Sequence, residues 1–295
     1  MNVLISGATG LIGSALTQEL ERAGHRVTRL TRSPRGADVR WDPDAGTIDG
    51  SLEGHDAVVH LAGESIAEGR WTASKRARIM ESRKKGTRLL AETIAGLPTP
   101  PEVMVSASAV GYYGDRGDEL LREDSRPGTD FLAEVCKAWE ASADPAREAG
   151  IRVVHPRFGI VLTPKGGALG TTLPIFKLGG GGRIGSGRQW WSWVAFDDVV
   201  GVILHSLEDY SVRGPVNVGS PNPMTNAEYT KVLGKVLNRP TFFAVPAPAL
   251  HIAVGGIADA LLLASQRMEP AKLKGTSYRF RYPALEGALR HLLGR

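Results

Sequence analysis

Residues 6–13 read Ser6-Gly7-Ala8-Thr9-Gly10-Leu11-Ile12-Gly13. The run follows the apolar Val3-Leu4-Ile5 and opens an amphipathic stretch carrying Leu11, Ile12, Ala15, Leu16, Leu20 and Ala23. Strand, tight turn and helix in that order suit one task, which is holding a pyrophosphate. Glycines let phosphate approach the backbone closely. The helix start then offers unpaired N–H groups and a partial positive charge. The spacing is Gly-x-x-Gly-x-x-Gly rather than Gly-x-Gly-x-x-Gly, so the flanking strand and helix carry the assignment. A second strand follows at Arg26–Thr31, and the residues closing it decide which dinucleotide fits. An acidic side chain there would bond the ribose 2′-hydroxyl of NAD, whereas an arginine would hold the 2′-phosphate of NADP. The chain reads Leu30-Thr31-Arg32-Ser33, without a carboxylate. Arg32 is therefore the expected partner of a 2′-phosphate, with a hydroxyl from Thr31 or Ser33 beside it. Arg29 and Arg35 are less well placed.

Other reactive side chains are sparse. His60 closes a buried strand and reads as a core histidine rather than a base. Cys136 is the single cysteine, which excludes a disulfide framework within the chain and suits a reducing compartment, the cytoplasm. No His/Cys/Asp/Glu cluster has metal-ligand spacing, so no metal is expected. Asp197-Asp198 open a helix, where carboxylates favour the dipole.

These residues must be positioned by a scaffold of alternating strands and helices. Val39–Asp42 reads as a short strand before the turn-rich 43–50. Asp56-Ala57-Val58-Val59-His60-Leu61-Ala62-Gly63 is a buried strand ending in small residues. Small residues at a carboxyl end let a cofactor lie against the sheet. Residues 72–95 predict a long helix capped by Thr72. Residues 103–108 predict a strand, 129–148 a helix interrupted at Pro145, and 152–157 another strand. This alternation predicts an α/β fold, a Rossmann-type doubly wound parallel sheet. Residues 1–163 form the expected nucleotide-binding domain, with later strands returning near 190–220. Residues 164–244 read as a mixed substrate-side region. Thr225-Asn226-Ala227-Glu228 is a capping box within it. Residues 245–295 read as a mostly helical C-terminal part, so that the sheet carries a smaller α+β cap.

Composition agrees with a globular protein. Of 295 residues, 42% are hydrophobic and 23% charged, enough apolar surface for a sizeable core. The net charge of +5 is spread out. Its densest runs, Lys75-Arg76-Ala77-Arg78 and Arg83-Lys84-Lys85, read as solvated helix faces, without the aromatic interleaving of a nucleic-acid reader. Residues 247–264 contain Pro248, His251, Gly255, Gly256 and Asp259, a poor membrane span. The first residues read as strand and phosphate turn, not as a signal peptide. Neither a nucleic-acid nor a membrane partner is expected.

Taken in order, several segments resemble the extended short-chain dehydrogenase/reductases. These are Ser6–Gly13, Asp56–Gly63, Ser106-Ala107-Ser108 leading to Tyr112-Tyr113-Gly114, Pro156-Arg157-Phe158-Gly159-Ile160-Val161-Leu162, and Ser192–Val200. Gly63-Glu64-Ser65-Ile66, Gly69-Arg70-Trp71, Glu81-Ser82-Arg83, Cys136-Lys137-Ala138-Trp139-Glu140 and the tail from Ser265-Gln266-Arg267-Met268 to Tyr282-Pro283 are similar to an atypical subgroup. That subgroup, the "epimerase family" proteins, carries a C-terminal domain of unknown function. The resemblance spans essentially the whole chain. It implies NADP held by Gly7, Thr9, Gly10, Leu11, Ile12, Gly13, Thr31, Arg32, Ser33, Leu61, Ala62, Gly63, Arg83, Ser106 and Lys137.

It also exposes a gap. In the wider superfamily a tyrosine and a lysine stand four apart on one helix. The lysine lowers the tyrosine pKa, the tyrosine exchanges a proton with the substrate, and a nearby serine orients the substrate oxygen. Lys137 and Ser108 match the lysine and the serine, but Ala133 stands four before Lys137. Phe131, the nearest aromatic, has no hydroxyl. Positioned acid–base catalysis contributes about 10²–10⁴-fold, so the loss matters. Tyr112 or Tyr113 can supply a phenol, Glu134 lies ~100° round the helix from position 133, and substrate or water can carry the proton. Gly179–Gly187 with Arg188-Gln189-Trp190-Trp191 reads as a loop over the substrate. In it Arg183 and Arg188 suit an anion and Trp190 forms a flat wall. The expectation is an NADP-dependent oxidoreductase or nucleotide-sugar epimerase of unnamed, anionic or sugar-nucleotide-like substrate. The alternative is a non-catalytic NADP-binding redox sensor or partner-binding protein, since relatives similar to the subgroup are linked with cell or plastid division.

Overall fold

The computed structural model describes residues 1–256 and 258–295, without the side chains of 252–254. Strands β1 (Asn2–Ser6), β2 (Arg26–Thr31), β3 (Val39–Asp42), β4 (Thr47–Asp49), β5 (Ala57–His60) and β6 (Val103–Ser106) belong to one central sheet. Leu120–Leu121 is the short β8, outside this sheet. The sheet is completed by β7 (Ser108–Ala109), β9 (Arg152–Phe158) and β14 (Gly214–Val218). Its order is β14-β9-β6-β5-β1-β2-β3-β4, with β7 also on β9. Every pairing is parallel except β3–β4, where Arg40, Trp41 and Asp42 face Asp49, Ile48 and Thr47. β3 is the short strand expected there, while β4 lies in the segment 43–50 read as turn-rich. β4 is three residues long and too polar to stand out as a strand.

Alternate residues of each strand feed two cores. Val3, Ile5, Val59 and Val105 meet α1 (Leu11–Arg22) and α6 (Phe196–Glu208). Leu4, Val58, Met104 and Val153 meet α2 (Ala73–Ala95) and α4 (Asp144–Glu148). Helices on both faces explain why these strands are near-continuous apolar runs. Thr72 caps α2 by accepting from Lys75 N. The 129–148 segment is two helices, α3 (Phe131–Ala141) and α4. Pro145 lies in the first turn of α4 rather than inside one long helix, because the first turn does not need its missing N–H.

A third core joins α5 (Gly167–Lys177), α7 (Asn226–Leu237) and α10 (Leu285–Leu293) around Trp191 and Trp193. Four small strand pairs support this half. They are β10 (Ile160–Leu162) with β13 (Trp193–Ala195), β11 (Gly182–Ile184) with β16 (Phe243–Val245), β12 (Trp190–Trp191) with β15 (Met224–Thr225), and β17 (Arg267–Met268) with β8. The capping box at Thr225 and Glu228 is formed. Asp198 does more than favour a helix dipole. It is fully buried and accepts from Arg281 N (2.7 Å), Tyr282 N (3.1 Å) and the Tyr278 hydroxyl (3.0 Å), which pins the C-terminal segment to α6.

Candidate cofactor cleft and reaction end

The chain leaves β1 in the middle of the sheet and returns on the other side of it at β5. Ligands of open α/β sheets bind at such a switch point, outside the carboxyl ends of the strands. Here Gly7 adopts φ +75°, and a Cβ on it would lie 2.8 Å from both Ala62 N and Leu61 C. A Cβ on Gly13 would meet Gly7 O at 2.2 Å. Both glycines are thus required by close backbone approach. Gly10 caps α1 without a side-chain hydrogen bond, and the first turn carries no acidic residue. Its N–H groups and partial charge suit a phosphate.

A cleft of about 1070 Å³ runs from Gly7, Thr9 and Gly10 past Leu61, Ala62 and Gly63 to Thr31, Arg32 and Ser33. Arg29 and Arg35 line it as well, together with Arg78 and Lys85. Arg29 and Arg35, read from the sequence as less well placed than Arg32, share this cleft with it. Lys75 and Arg83 also depart from a solvated face. Lys75 is buried and donates to Glu64 Oε1 at 2.7 Å. Arg83 is buried, donates to the carbonyls of Glu64 (3.0 Å) and Ile79 (3.2 Å), and stacks 4.8 Å from the Trp139 ring. α2 packs along the sheet, so every third or fourth residue of its basic stretch turns inward. The hydrogen bond from Lys75 is the main cause holding the Glu64 carboxyl below its ordinary pKa, against partial burial.

Beneath the cleft, Ser6 Oγ and His60 Nδ1 lie 2.5 Å apart. Burial, helped by Arg83, lowers the His60 pKa to about 4, so the ring is neutral at pH 7. Ser106 is fully buried, and its Oγ has no hydrogen-bond partner among the described residues.

The reaction end is assembled from distant segments. Ser108 is buried and donates to Glu140 Oε1 at 2.7 Å. Glu140 also receives Arg157 Nε (2.8 Å) and Nη2 (2.9 Å) as a bidentate pair. Arg157 is itself buried; burial opposes its charge, but Glu140 outweighs this and raises its pKa. Arg157 Nη1 donates to the Tyr113 hydroxyl (2.9 Å), which donates in turn to Asn217 Oδ1 (2.6 Å). Burial pushes the Tyr113 phenol up to about 12. Tyr112 is only partly buried, with the Arg157 guanidinium 3.4 Å from its ring centre. Its hydroxyl makes no hydrogen bond among the described residues. Lys137, one turn of α3 after Ala133, is 39% exposed and 2.5 Å from Glu134 Oε1. Ala133 is completely covered. Cys136 is buried on the same helix, its thiol pushed up to about 12 by burial.

On the substrate side, Arg183 is exposed and donates to Ser186 O, and Arg188 is exposed. The glycine-rich segment is tied down through β11–β16 and through Ile184 N to Asn226 Oδ1 (2.7 Å). Trp190 is half-buried, and its indole N–H donates to Asp118 Oδ1 at 2.7 Å. Glu140 and Arg157 are the main residues that sequence reasoning missed. Both lay inside quoted motifs, yet nothing along the chain pairs positions seventeen apart. Among the described residues, no group of three or more metal-ligating side chains is found. No described helix is long and apolar enough to cross a membrane.

Comparison with known proteins agrees with this arrangement. Residues 3–219 match the NAD dependent epimerase/dehydratase family, and residues 245–292 match a domain of unknown function, DUF1731. An epimerase family protein of Mycobacterium bovis is 40% identical over 292 residues, covering 97% of this chain and 96% of that protein. The crystal structure of human epimerase family protein SDR39U1 (isoform 2) with NADPH superposes with a TM-score of 0.92 at 36% identity, over 100% of this chain and 99% of that one. A nucleoside-diphosphate sugar epimerase of Corynebacterium glutamicum superposes with a TM-score of 0.82 at 40% identity, the chain spanning 58% of its length. With a glycine turn, a switch-point cleft and a C-terminal extension all in register with these relatives, the chain belongs to the NAD dependent epimerase/dehydratase family of the short-chain dehydrogenase/reductase superfamily, in its epimerase family protein branch.

Proposed function

We propose that the chain binds NADP(H) and uses it in oxidoreductase or epimerase chemistry on a small hydroxyl- or carbonyl-bearing substrate. The observation that carries this reading is the cleft wall formed by Arg29, Arg32 and Arg35 beyond the glycine turn. Such a wall complements a 2′-phosphate. The NADPH held by human SDR39U1, a relative of the same length and fold, supports it. The turn from Gly7 to Gly13 would hold the pyrophosphate, Thr31, Arg32 and Ser33 the 2′-phosphate, and Leu61–Gly63 the face lying on the sheet. When bound, the nicotinamide supplies a hydride acceptor or donor. Ser108 orients the substrate oxygen, its hydroxyl direction set by Glu140. Tyr112 is the better proton donor of the two tyrosines, because its hydroxyl is free while that of Tyr113 is engaged on both sides.

Tryptophan fluorescence titration tests the cofactor assignment. NADP should bind more tightly than NAD. Arg32→Ala should weaken NADP by about ten- to hundredfold, the value of a hydrogen bond to a charged group, and leave NAD unchanged. Equal affinity of the unaltered chain for both dinucleotides would sink the assignment.

A second reading, a cofactor-binding sensor without turnover, is favoured by the covered Ala133, which carries no proton, and by Lys137 being paired with Glu134. It expects retained NADP and no consumption of NADPH across a broad panel of carbonyl compounds and sugar nucleotides.

A further inference from the structure

A second cavity, of about 330 Å³, lies between Ser211-Val212-Arg213 and the short helix Ala271–Lys274 with the two residues after it. That volume is within the range of small-molecule sites, roughly 300–1,000 Å³. Lys272 Nζ is 3.6 Å from where a Cβ of Gly214 would be, and Gly214 opens β14. β14 runs parallel to β9, and the glycine turn follows the carboxyl end of β1 in the same parallel set. The cavity is therefore at the amino end of the sheet, opposite the cofactor cleft.

Both walls are fixed by hydrogen bonds. On one, Arg152 Nη1 donates to Val212 O (2.9 Å), and Ser211 N (2.8 Å) and Oγ (2.6 Å) donate to Asp209 Oδ1. On the other, Thr276 Oγ1 donates to Leu273 O (2.8 Å) and accepts from Tyr278 N (3.2 Å). Lys272 N donates to Glu123 Oε1 (3.1 Å), a buried carboxylate that also accepts from Asn217 N (3.1 Å). Lys272 Nζ crosses to the first wall and donates to Arg213 O at 2.9 Å. Such a cavity is shaped before any ligand arrives, which lowers the cost of ordering on binding.

Its charge is one-sided. Lys272 and Arg213 line it, and no carboxylate does. The neighbouring Arg122 and Lys274 share Glu269, whereas Lys272 and Arg213 make no ion pair among the described residues. Lys272 spends one of its three ammonium protons on Arg213 O, and the Arg213 guanidinium makes one long bond, to Tyr210 O at 3.4 Å. Burial is the main cause holding the Lys272 ammonium below its ordinary pKa. A partly dry cation without a carboxylate carries a cost that an anion relieves. The guanidinium fork grips two oxygens and the ammonium acts as a point charge beside it. Val212 and Leu273, both buried, add apolar surface.

We propose that this cavity is a second anion site, separate from the cofactor cleft, that takes a small phosphate monoester. The phosphoryl group sits between Lys272 and Arg213, and the carbon body lies against Val212 and Leu273. A phosphate monoester places two negative charges on one group, which suits two cations better than a single carboxylate does. The site does not depend on the cofactor reading.

Calorimetric titration of the full chain with phenyl phosphate, and separately with malonate, tests it, with NADP present to occupy the cleft. Malonate spreads its two charges over two groups. The expected result is saturable binding of phenyl phosphate with a Kd of about 1 mM or tighter, and weaker binding of malonate. Lys272→Met and Arg213→Met each remove one cation and should each weaken phenyl phosphate about ten- to hundredfold. Arg213 is exposed, so its variant stays informative even where Lys272→Met loosens the two walls, and thermal unfolding without ligand checks both folds. No saturable binding, malonate as tight as phenyl phosphate, or unchanged affinity in Arg213→Met or in a folded Lys272→Met overturns the inference. Failure of NADP to bind strikes only the cofactor reading, because phosphate taken up in the cleft is indifferent to Lys272 and Arg213.

Discussion

The two ends of the candidate site are built on different principles. At the phosphate end the backbone itself is the recognition surface. Gly7 and Gly13 are pressed against Leu61, Ala62 and each other, and the cations along the cleft reach outward. At the reaction end side chains recognise one another. Ser108, Glu140, Arg157, Tyr113 and Asn217 form one buried hydrogen-bonded chain. The first construction suits a ligand that brings its own charge. The second fixes the orientation of a few polar groups before any ligand arrives, which is how a low-dielectric site avoids reorganising during a reaction.

This contrast can be broken most severely at the reaction end. Glu140→Ala leaves Arg157 as an uncompensated buried charge and should cost about 3–5 kcal/mol. Urea unfolding measures it, and a loss below about 1 kcal/mol would mean that the network does not hold this end together. The next effect is one of pH and lies beneath the phosphate end. The folded-state pKa of His60 is depressed to about 4 from 6.5. Between those values the unfolded chain binds the extra proton, so stability is fully present above pH 6.5 and declines as pH falls towards 4. The full window is worth roughly 3 kcal/mol. Unfolding measured at several pH values should show that slope, and His60→Asn should flatten it.

Gly13→Ala probes the backbone construction directly. Its new Cβ would meet Gly7 O at 2.2 Å, so the turn or α1 must shift. The expected cost is about 1–3 kcal/mol, with loss of NADP binding by fluorescence. Unimpaired NADP affinity would show that the close approach is not needed for the cofactor. The smallest effect is expected at Lys137, whose pair with Glu134 is exposed. Lys137→Met should change stability by no more than about 0.5 kcal/mol. A larger loss in denaturant unfolding would reveal a structural role beyond that exposed pair.

How far the chain could be read follows the same division. The glycine turn, Arg32 and the Leu61–Gly63 strand end lie within short runs whose spacing already states strand, turn and helix. The long α2 and the Thr225 capping box were equally legible, because a cap and its helix are neighbours in sequence. The inward turn of Lys75 and Arg83 was not, since a basic run shows its charge but not which residues face the sheet. The split of 129–148 at Pro145 was visible only as an interruption, and its resolution into two helices needed the packing of α4 on β9.

The sequence by itself determined the fold class and the glycine turn at which a cofactor is expected, because both depend on local periodicity and on contacts between near neighbours. Ala133, four before Lys137, marked the place where the resemblance expects an acid–base tyrosine. Only the tertiary structure decided what surrounds that gap. It joined Tyr113 to Asn217, 104 positions away, joined Ser108 to Glu140 and Arg157, and laid Arg267 of the tail on Trp190. Such pairs are set by how helices and strands close over one another, and a side chain's partner across the core leaves no mark in the spacing of its neighbours.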